Sequence, residues 1–158
     1  MVERSEQILS PACGRITEII STDSDPDVPG NFTRVSIFLA VWDNHVTRSP
    51  ITGQIESIRY RHGKFGMALF KKNLLKNENN LIWFIDGSFR LAVRQIAGRI
   101  ARRIICSCRV GQTTQQGQEI GLITFGSCVQ LYLPQDVEIK TRVGQKVEAG
   151  KTLVASRL

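Results

Sequence analysis

Short apolar runs separated by Gly, Pro and Asn turns recur along most of the chain. Thr33 to Val41 alternates apolar and polar residues, which predicts a strand with one buried face. Two further apolar runs, Leu122 to Phe125 and Val129 to Leu133, are interrupted by a Gly-Ser pair. Glycine weakens a strand interior, so this pair indicates a bend, a bulge or a place where chemistry needs access to the backbone.

Other segments predict further elements. Leu81 to Ile85, followed by Asp-Gly, is typical of a buried strand that ends in a turn, although an exposed membrane-touching patch is the alternative. Lys71 to Asn80 is polar and predicts a helix or an irregular excursion. After a bend at Gly98, four residues are predicted to share one face of a strand: Ile104, Cys106, Cys108 and Val110.

Two internal repeats support a β-rich fold. Ser10 to Ile19 and Ser49 to Ile58 share the pattern Ser-Pro-x-x-Gly-x-Ile-x-x-Ile. Val110 to Gly117 and Val143 to Gly150 share Val-Gly-Gln with a glycine five residues later. Short strands alternating with glycine turns predict one mostly β domain over residues 1–158, a β-rich α+β barrel or sandwich rather than a helical bundle.

The charge narrows the classes of partner. The net charge of +7 on 158 residues favours an anionic partner such as nucleic acid, an anionic membrane surface or a phosphorylated substrate, or simply a soluble basic protein. No basic run exceeds two residues and aromatic residues do not alternate with basic ones, so nucleic acid is not predicted. The apolar and charged fractions, 42% and 22%, are those of an ordinary globular protein.

The N-terminus and the cysteines bear on location. Val2 to Glu6 is polar, so we expect no secretory signal, and no apolar run reaches the roughly 20 residues of a transmembrane helix. We therefore expect reduced thiols in the cytoplasm and peripheral contact with the inner face of the membrane. Cys106 and Cys108 are either half of a metal site or small buried residues; no further ligands complete the site, so no metal is predicted.

Several phrases carry a resemblance to a known family. Ile123 to Pro134 reads Ile-x-Phe-Gly-Ser-x-Val-x-x-Tyr-Leu-Pro, and Asp43 to Gly53 reads Asp-x-His-x-x-Arg-x-Pro-x-x-Gly. Tyr60 to Phe65 and Gln95 to Ile104 add Tyr-x-x-Gly-Lys-Phe and Gln-Ile-Ala-Gly-x-x-Ala-Arg-Arg-Ile. Together these phrases resemble the short, pyruvoyl-dependent phosphatidylserine decarboxylases of the archaetidylserine decarboxylase-like type. The resemblance also implies that the repeats are hammerhead half-motifs of the biotinyl/lipoyl type.

The resemblance implies a mechanism. The Ser127 hydroxyl attacks the carbonyl of Gly126, and the chain splits into a β chain, residues 1–126, and an α chain, residues 127–158. Ser127 becomes the pyruvoyl cofactor that decarboxylates phosphatidylserine to phosphatidylethanolamine, with His45 moving protons. Glycine before the serine suits this chemistry because it lacks a Cβ and tolerates a strained backbone.

Other expected site residues follow from the same resemblance. The family usually reads Ser-Pro-x-Asp-Gly where this chain has Cys13, and a neutral thiol does not stabilise an imidazolium as a carboxylate does. Asp43, two residues from His45, is a candidate for the role of that carboxylate, although residues two apart on a strand share a face without necessarily touching. Arg102 and Arg103 either receive the lipid phosphate or form a solvated face. The alternatives to an active enzyme are a processing-deficient pseudoenzyme that binds serine lipids or a partner, and a hammerhead-type interaction module. Self-association is left open.

Overall fold

The computed structural model describes residues 6–62, 78–98, 104–123 and 127–158. These residues form fourteen strands and no helix, which confirms the prediction of a mostly β fold. Accordingly, they include no helix long and apolar enough to cross a membrane. The strands are β1 (Gln7–Leu9), β2 (Gly14–Thr22), β3 (Phe32–Phe38), β4 (Val46–Arg48), β5 (Gly53–Arg61), β6 (Asn79–Asp86), β7 (Phe89–Ile96), β8 (Ile104–Cys106), β9 (Thr113–Thr114), β10 (Glu119–Ile123), β11 (Cys128–Leu133), β12 (Val137–Ile139), β13 (Lys146–Val147) and β14 (Leu153–Arg157).

An eight-stranded antiparallel sheet organises the fold, in the order β13-β2-β3-β11-β7-β6-β5-β9. Two three-stranded sheets, β1-β14-β12 and β4-β10-β8, accompany it. Strand β11 pairs with β3 on one side and with β7 on the other. The residues that follow Ser127 therefore lie in the middle of the largest sheet.

The central strands are buried on both faces. Val129, Leu131 and Leu133 of β11 belong to the main core, whereas Tyr132 packs into a second cluster on the opposite face. The segment Leu81 to Ile85 lies within β6, which is buried along most of its length. The predicted buried strand is thus confirmed, and the membrane-touching alternative for this segment is wrong.

Each Ser-Pro repeat is closed by one of the Val-Gly-Gln turns. The amide of Gly144 donates to the carbonyl of Ile16 over 2.7 Å, and that of Gly111 donates to the equivalent carbonyl of Ile55 over 2.8 Å. Both glycines have positive φ angles, +93° and +87°, a backbone conformation that side chains disfavour. The two repeats in the sequence therefore fold into two equivalent units.

The two units also exchange a reciprocal pair of hydrogen bonds. The amide of Leu9 donates to the carbonyl of Pro50 over 3.1 Å, and the amide of Arg48 donates to the carbonyl of Pro11 over 2.8 Å. This exchange gives the fold an approximate internal twofold relation, consistent with paired half-motifs. It also fixes β4, the short strand that begins directly after His45.

Two local predictions are wrong. Strand β8 ends at Cys106, and Val110 lies in an exposed turn in which the carbonyl of Arg109 accepts a hydrogen bond from Gln112, so the four residues do not share a strand face. The polar excursion predicted from Lys71 to Asn80 is too long, because its last two residues are buried members of β6. Residues 71–77 of that prediction lie outside the described part of the chain.

Candidate functional site

Ser127 lies immediately before the central strand β11. Its side chain is buried, with the residue only 1% exposed, and its carbonyl accepts a hydrogen bond from the amide of Leu39 over 2.9 Å. The hydroxyl oxygen Oγ has no hydrogen-bond partner among the described residues. Burying a hydroxyl without a hydrogen bond costs free energy, and such a group in a folded protein calls for an explanation such as a catalytic role. The Ser127 hydroxyl is therefore a candidate for chemistry.

The loop between β3 and β4, residues 39–45, contacts the chain on both sides of the Gly-Ser segment. Leu39, at one end of the loop, bonds Ser127, and the carbonyl of His45, at the other end, accepts the amide of Ile123 over 3.1 Å. The loop thus bridges the end of β10 and the start of β11. The loop that carries the predicted proton carrier thus bonds through its backbone to the segments on both sides of the predicted nucleophile, although 82 positions separate His45 from Ser127 in the sequence.

Asp43 holds the turn of this loop. Its Oδ2 atom accepts the amide of Ala40 over 2.8 Å, while its own amide donates to the carbonyl of Ala40 over 3.0 Å. One carboxylate oxygen is therefore committed to the backbone two residues before His45. The structure places Asp43 as a residue that shapes the histidine loop.

Cys13 approaches the same region from a third part of the chain. Its half-buried sulfur accepts the amide of Ala149 over 3.2 Å. The next residue, Gly14, packs so closely on β3 that a Cβ there would collide with the carbonyl oxygen of Phe38. Because Phe38 directly precedes Leu39, Cys13 lies one strand away from the backbone that holds Ser127. The other predicted site residues, Gly126, Arg102 and Arg103, lie outside the described residues.

A buried polar network supports β4 and was not predicted from the sequence. The Asn80 side chain donates to Gln95 Oε1 over 3.1 Å, and Gln95 Nε2 donates to Thr47 Oγ1 over 3.1 Å. All three residues are almost fully buried, and they connect β6 and β7 to the strand that follows His45. Buried networks of this kind hold strands in one register. The sequence carries no clear signal of this network, because each of its three residues has a polar neighbour in the chain.

The cysteines fall into two groups. Cys13 directly precedes β2, Cys128 begins β11, and β3 lies between these two strands. Strands two apart lie about 9.5 Å from each other, beyond the roughly 7 Å limit for a disulfide. Cys106 and Cys108 instead face each other with their sulfurs 3.5 Å apart. Within the described ranges no cluster of three or more potential metal ligands occurs.

Thiol acidity distinguishes these cysteines. The hydrogen bond with the Cys108 thiol lowers the pKa of Cys106 and outweighs the opposing effect of burial. The same hydrogen bond, together with burial, raises the pKa of Cys108. At Cys128, burial is the main cause and the charge of Glu18 adds to it, so the pKa rises to about 12. Among Cys106, Cys108 and Cys128, Cys106 is therefore the residue whose reactive thiolate forms most readily.

We expect alkylation rates to reveal this difference. With a pKa of about 6, Cys106 should be largely thiolate at pH 7, so its rate with iodoacetamide should change little from pH 7 to 9 and fall below pH 6. Replacing Cys108 with alanine removes the hydrogen bond and should slow the reaction at pH 7 by roughly tenfold. Peptide mass mapping gives each rate, with Cys128 as the unreactive internal control. A Cys106 rate that still climbs steeply between pH 7 and 9 would contradict the assignment.

Comparisons with known proteins place the chain in a family. The sequence matches the phosphatidylserine decarboxylase family over residues 1–155. A relative from Desulfotalea psychrophila is 40% identical over 148 residues, which cover 93% of this chain and 69% of the relative. One from Ruegeria pomeroyi is 42% identical over 158 residues, covering 96% and 71%. Both are named phosphatidylserine decarboxylase proenzyme.

A third relative of that name, from the Wolbachia of Brugia malayi, is 41% identical over 157 residues and covers 94% of this chain and 67% of the relative. No solved structure matches the chain. The resemblance first read from the phrases around Ser127 and His45 thus extends over the whole domain, and the chain belongs to the phosphatidylserine decarboxylase family.

Proposed function

We propose that this chain is the precursor of a pyruvoyl-dependent decarboxylase that converts phosphatidylserine to phosphatidylethanolamine. In this proposal it cleaves itself between Gly126 and Ser127. The observation that carries the proposal is the environment of Ser127: buried, at the start of a central strand, with a hydroxyl that no described residue binds. The family membership and the names of the relatives support the same activity.

The self-cleavage needs a serine hydroxyl beside a carbonyl and a base. Ser127 Oγ attacks the carbonyl carbon of Gly126, the peptide bond becomes an ester, and elimination of that ester separates the chains. The new N-terminus loses its nitrogen as ammonia when water adds, which leaves the pyruvoyl group. A serine hydroxyl is a weak nucleophile at neutral pH, so a base must take its proton. His45, on the loop that also binds Ser127 through Leu39, is the proposed base.

The residues present fit a pyruvoyl group at this position. A buried serine whose hydroxyl is not committed to the fold can change into a carbonyl without breaking a structural hydrogen bond. When formed, the group supplies an electrophilic carbonyl that takes the substrate amine and withdraws the electron pair released with CO2. Histidine is the residue type that most readily gives and takes a proton around neutral pH, so His45 suits the later delivery of a proton to the substrate carbon.

The fold also supports a two-chain product. Residues 127–158 contain β11, β12, β13 and β14. In the intact fold β11 pairs with β3 and β7, β13 pairs with β2, and β14 pairs with β1. A cut before Ser127 leaves these strand pairs in place, so the α and β chains should stay together until they are denatured.

The substrate and setting complete the proposal. The excess of positive charge suits an anionic bilayer, with each nearby Lys or Arg worth about 1 kcal/mol, and we place the enzyme at the cytoplasmic face of the membrane. Arg102 and Arg103 are proposed to receive the lipid phosphate, since a guanidinium fork matches phosphate oxygens. Pairing of two copies of the chain is compatible with this setting.

Intact mass under denaturing conditions, with a carbonyl-reactive amine added to half the sample, tests the proposal. Two species, residues 1–126 and 127–158, with the adduct on the smaller one, would establish the processed form. Formation of phosphatidylethanolamine from phosphatidylserine vesicles would then establish the activity. A single full-length species without adduct would contradict the proposal and favour the second candidate, a pseudoenzyme of the same fold. The specific observation behind that candidate is Cys13 at the usual carboxylate position.

Replacing Cys13 with aspartate should speed processing by roughly ten- to a hundredfold, because a carboxylate stabilises a charged histidine better than a thiol does. An aspartate would also accept the Ala149 amide that the sulfur now accepts. The decay of the full-length mass after synthesis gives the rate. Cys13→Ser, which is neutral and of similar size, serves as the control and should not speed processing. Equal rates in all three proteins would mean that this position does not govern the reaction.

A further inference from the structure

The loop beside the site and the end of β3 that leads into it carry three unusually exposed apolar side chains. Trp42 is 84% exposed, Val41 is 61% exposed and Phe38, the last residue of β3, is 47% exposed. Large apolar residues so exposed and so close in sequence form a patch rather than scattered surface residues, and such patches mark interaction sites. We refer to Phe38, Val41 and Trp42 as the apolar tip.

The apolar tip is held on a defined turn. Leu39 is fully buried and its amide donates to Ser127, while the two hydrogen bonds between Ala40 and Asp43 close the turn on either side of Val41 and Trp42. Because the turn is closed in this way, the two side chains project from a fixed backbone. Their exposure is a property of the fold and does not come from a frayed end.

Positive charge lies next to the apolar tip. Arg15 pairs with Phe38 across β2 and β3, and Lys146 pairs with Arg15 across β13 and β2. Residues opposite each other on neighbouring strands project from the same face, so the two cations and the aromatic ring form one row. Both cations are exposed, and no carboxylate of the described residues lies within 4 Å of either. The Arg15 guanidinium donates one hydrogen bond, to the neutral carbonyl of Gly144 over 2.7 Å. An apolar tip beside exposed cations whose charge no described carboxylate neutralises is complementary to a surface that is apolar within and anionic at its edge.

We infer that the apolar tip inserts into an anionic lipid bilayer, with Arg15 and Lys146 on the headgroups, and thereby sets the entrance of the Ser127 site at the membrane surface. Tryptophan favours the interface between headgroups and acyl chains, and basic residues near it add attraction to anionic lipid. The inference rests on the proposed function in taking a bilayer lipid as substrate. It adds the segment that docks and the orientation of the site.

Vesicle binding tests the inference. Full-length protein is sedimented with vesicles of phosphatidylserine and phosphatidylcholine or of phosphatidylcholine alone, as the parent and as Val41→Ser/Trp42→Ser. We expect the double variant to lose about tenfold or more in affinity for the anionic vesicles. Val110→Ser is the matched control, because Val110 is 62% exposed and Val41 is 61% exposed. Val110 lies in the turn beside β9, an edge strand of the large sheet that is distant in strand order from β3. The Val110→Ser protein should therefore bind vesicles like the parent. The variant Arg15→Gln/Lys146→Gln should bind anionic vesicles more weakly than the parent does, while its binding to phosphatidylcholine vesicles should not change. The difference should be largest at low salt, where charges are least screened.

Tryptophan fluorescence gives a second measurement. Trp83 is buried at 7% exposure, so a change caused by vesicles reports Trp42, and acyl chains brominated near the headgroup should quench its emission. Unquenched emission, or equal affinity in the double variant and the parent, would overturn the inference. So would a parent dimer that the double variant disperses, since the tip would then cover a second copy. Repeating the binding with Ser127→Ala separates docking from processing, because docking requires no cleavage.

Discussion

A Ser127→Ala chain should remain one full-length polypeptide, with no adduct from a carbonyl-reactive amine and no formation of phosphatidylethanolamine. Alanine has no hydroxyl to attack the carbonyl of Gly126 and cannot become a pyruvoyl group. Loss of a covalent nucleophile removes the reaction path, so activity should fall by at least about a thousandfold. Denaturing mass spectrometry of the freshly purified chain and a lipid product assay measure both effects.

The fold should survive this change. Ser127 Oγ makes no hydrogen bond with a described residue, so its removal leaves no partner unsatisfied and should cost under about 1 kcal/mol. Ser36→Ala is a suitable control, since Ser36 is a buried serine of β3 whose hydroxyl donates to Glu18. That variant should process normally. Cleavage of Ser127→Ala at the same bond would rule out Ser127 as the nucleophile.

Replacing Arg94 with methionine should destabilise the fold by about 3–5 kcal/mol. Arg94 is 1% exposed, and its Nη1 atom donates to Asp25 Oδ2 over 3.0 Å and to the Tyr132 hydroxyl over 2.6 Å. Removing the guanidinium leaves the buried Asp25 carboxylate without its cation. For a domain of this size, the loss corresponds to a fall of roughly 10 °C in Tm, measurable by thermal unfolding.

Two further variants make this prediction specific. Arg94→Met/Asp25→Leu removes both charges and should be more stable than Arg94→Met, because no unpaired charge is left behind. Arg90→Met serves as the matched control on the same strand. Arg90 pairs with Glu56 while 43% of its side chain is exposed, so its loss should cost only about 1 kcal/mol. Equal losses for the two single variants would show that the Arg94 pair is no stronger than a surface pair.

The same ion pair predicts a dependence on acid. Burial by itself raises the pKa of Asp25, but the hydrogen bond and charge of Arg94 outweigh it, so the pKa lies below its ordinary value. The stabilisation is therefore complete above the unfolded-state pKa, about 3.9, and is lost as the pH falls through the lower folded-state value. In Arg94→Met burial is opposed only by the hydrogen bonds from the Asp27 amide and the Tyr132 hydroxyl, so the pKa of Asp25 rises and the deficit relative to the parent should shrink on acidification.

The residues of the candidate site could be named from the sequence, because their signals are local. Glycine before serine between two apolar runs marked the Gly-Ser segment, and the phrases around it indicated the family and named Ser127, Gly126, His45 and Cys13. Alternating residues also predicted β3, and an apolar run predicted β11. Periodicity determines which side chains share a face, since successive residues of a strand point to opposite sides.

Strand pairing was decided only in the tertiary structure. No local pattern predicts that β11 lies between β3 and β7. Nor does one predict that Leu39 and His45 form backbone hydrogen bonds on the two sides of the Gly-Ser segment. The exposure of Trp42 likewise depends on what packs around its loop. An apolar residue in an apolar run reads the same whether it is buried or held at the surface.

The sequence by itself determined the family, the β-rich class, the two repeats and the candidate nucleophile, all of which depend on residue type and short spacing. Tertiary structure alone decided the Arg94–Asp25–Tyr132 contacts, the facing sulfurs of Cys106 and Cys108, and the meeting of the histidine loop with Ser127. Residues 69 and 38 positions apart meet at Arg94. Bringing such distant residues together costs chain entropy, and the burial of many strands in one core offsets that cost. Because this balance depends on the whole fold, no single segment of the sequence determines it.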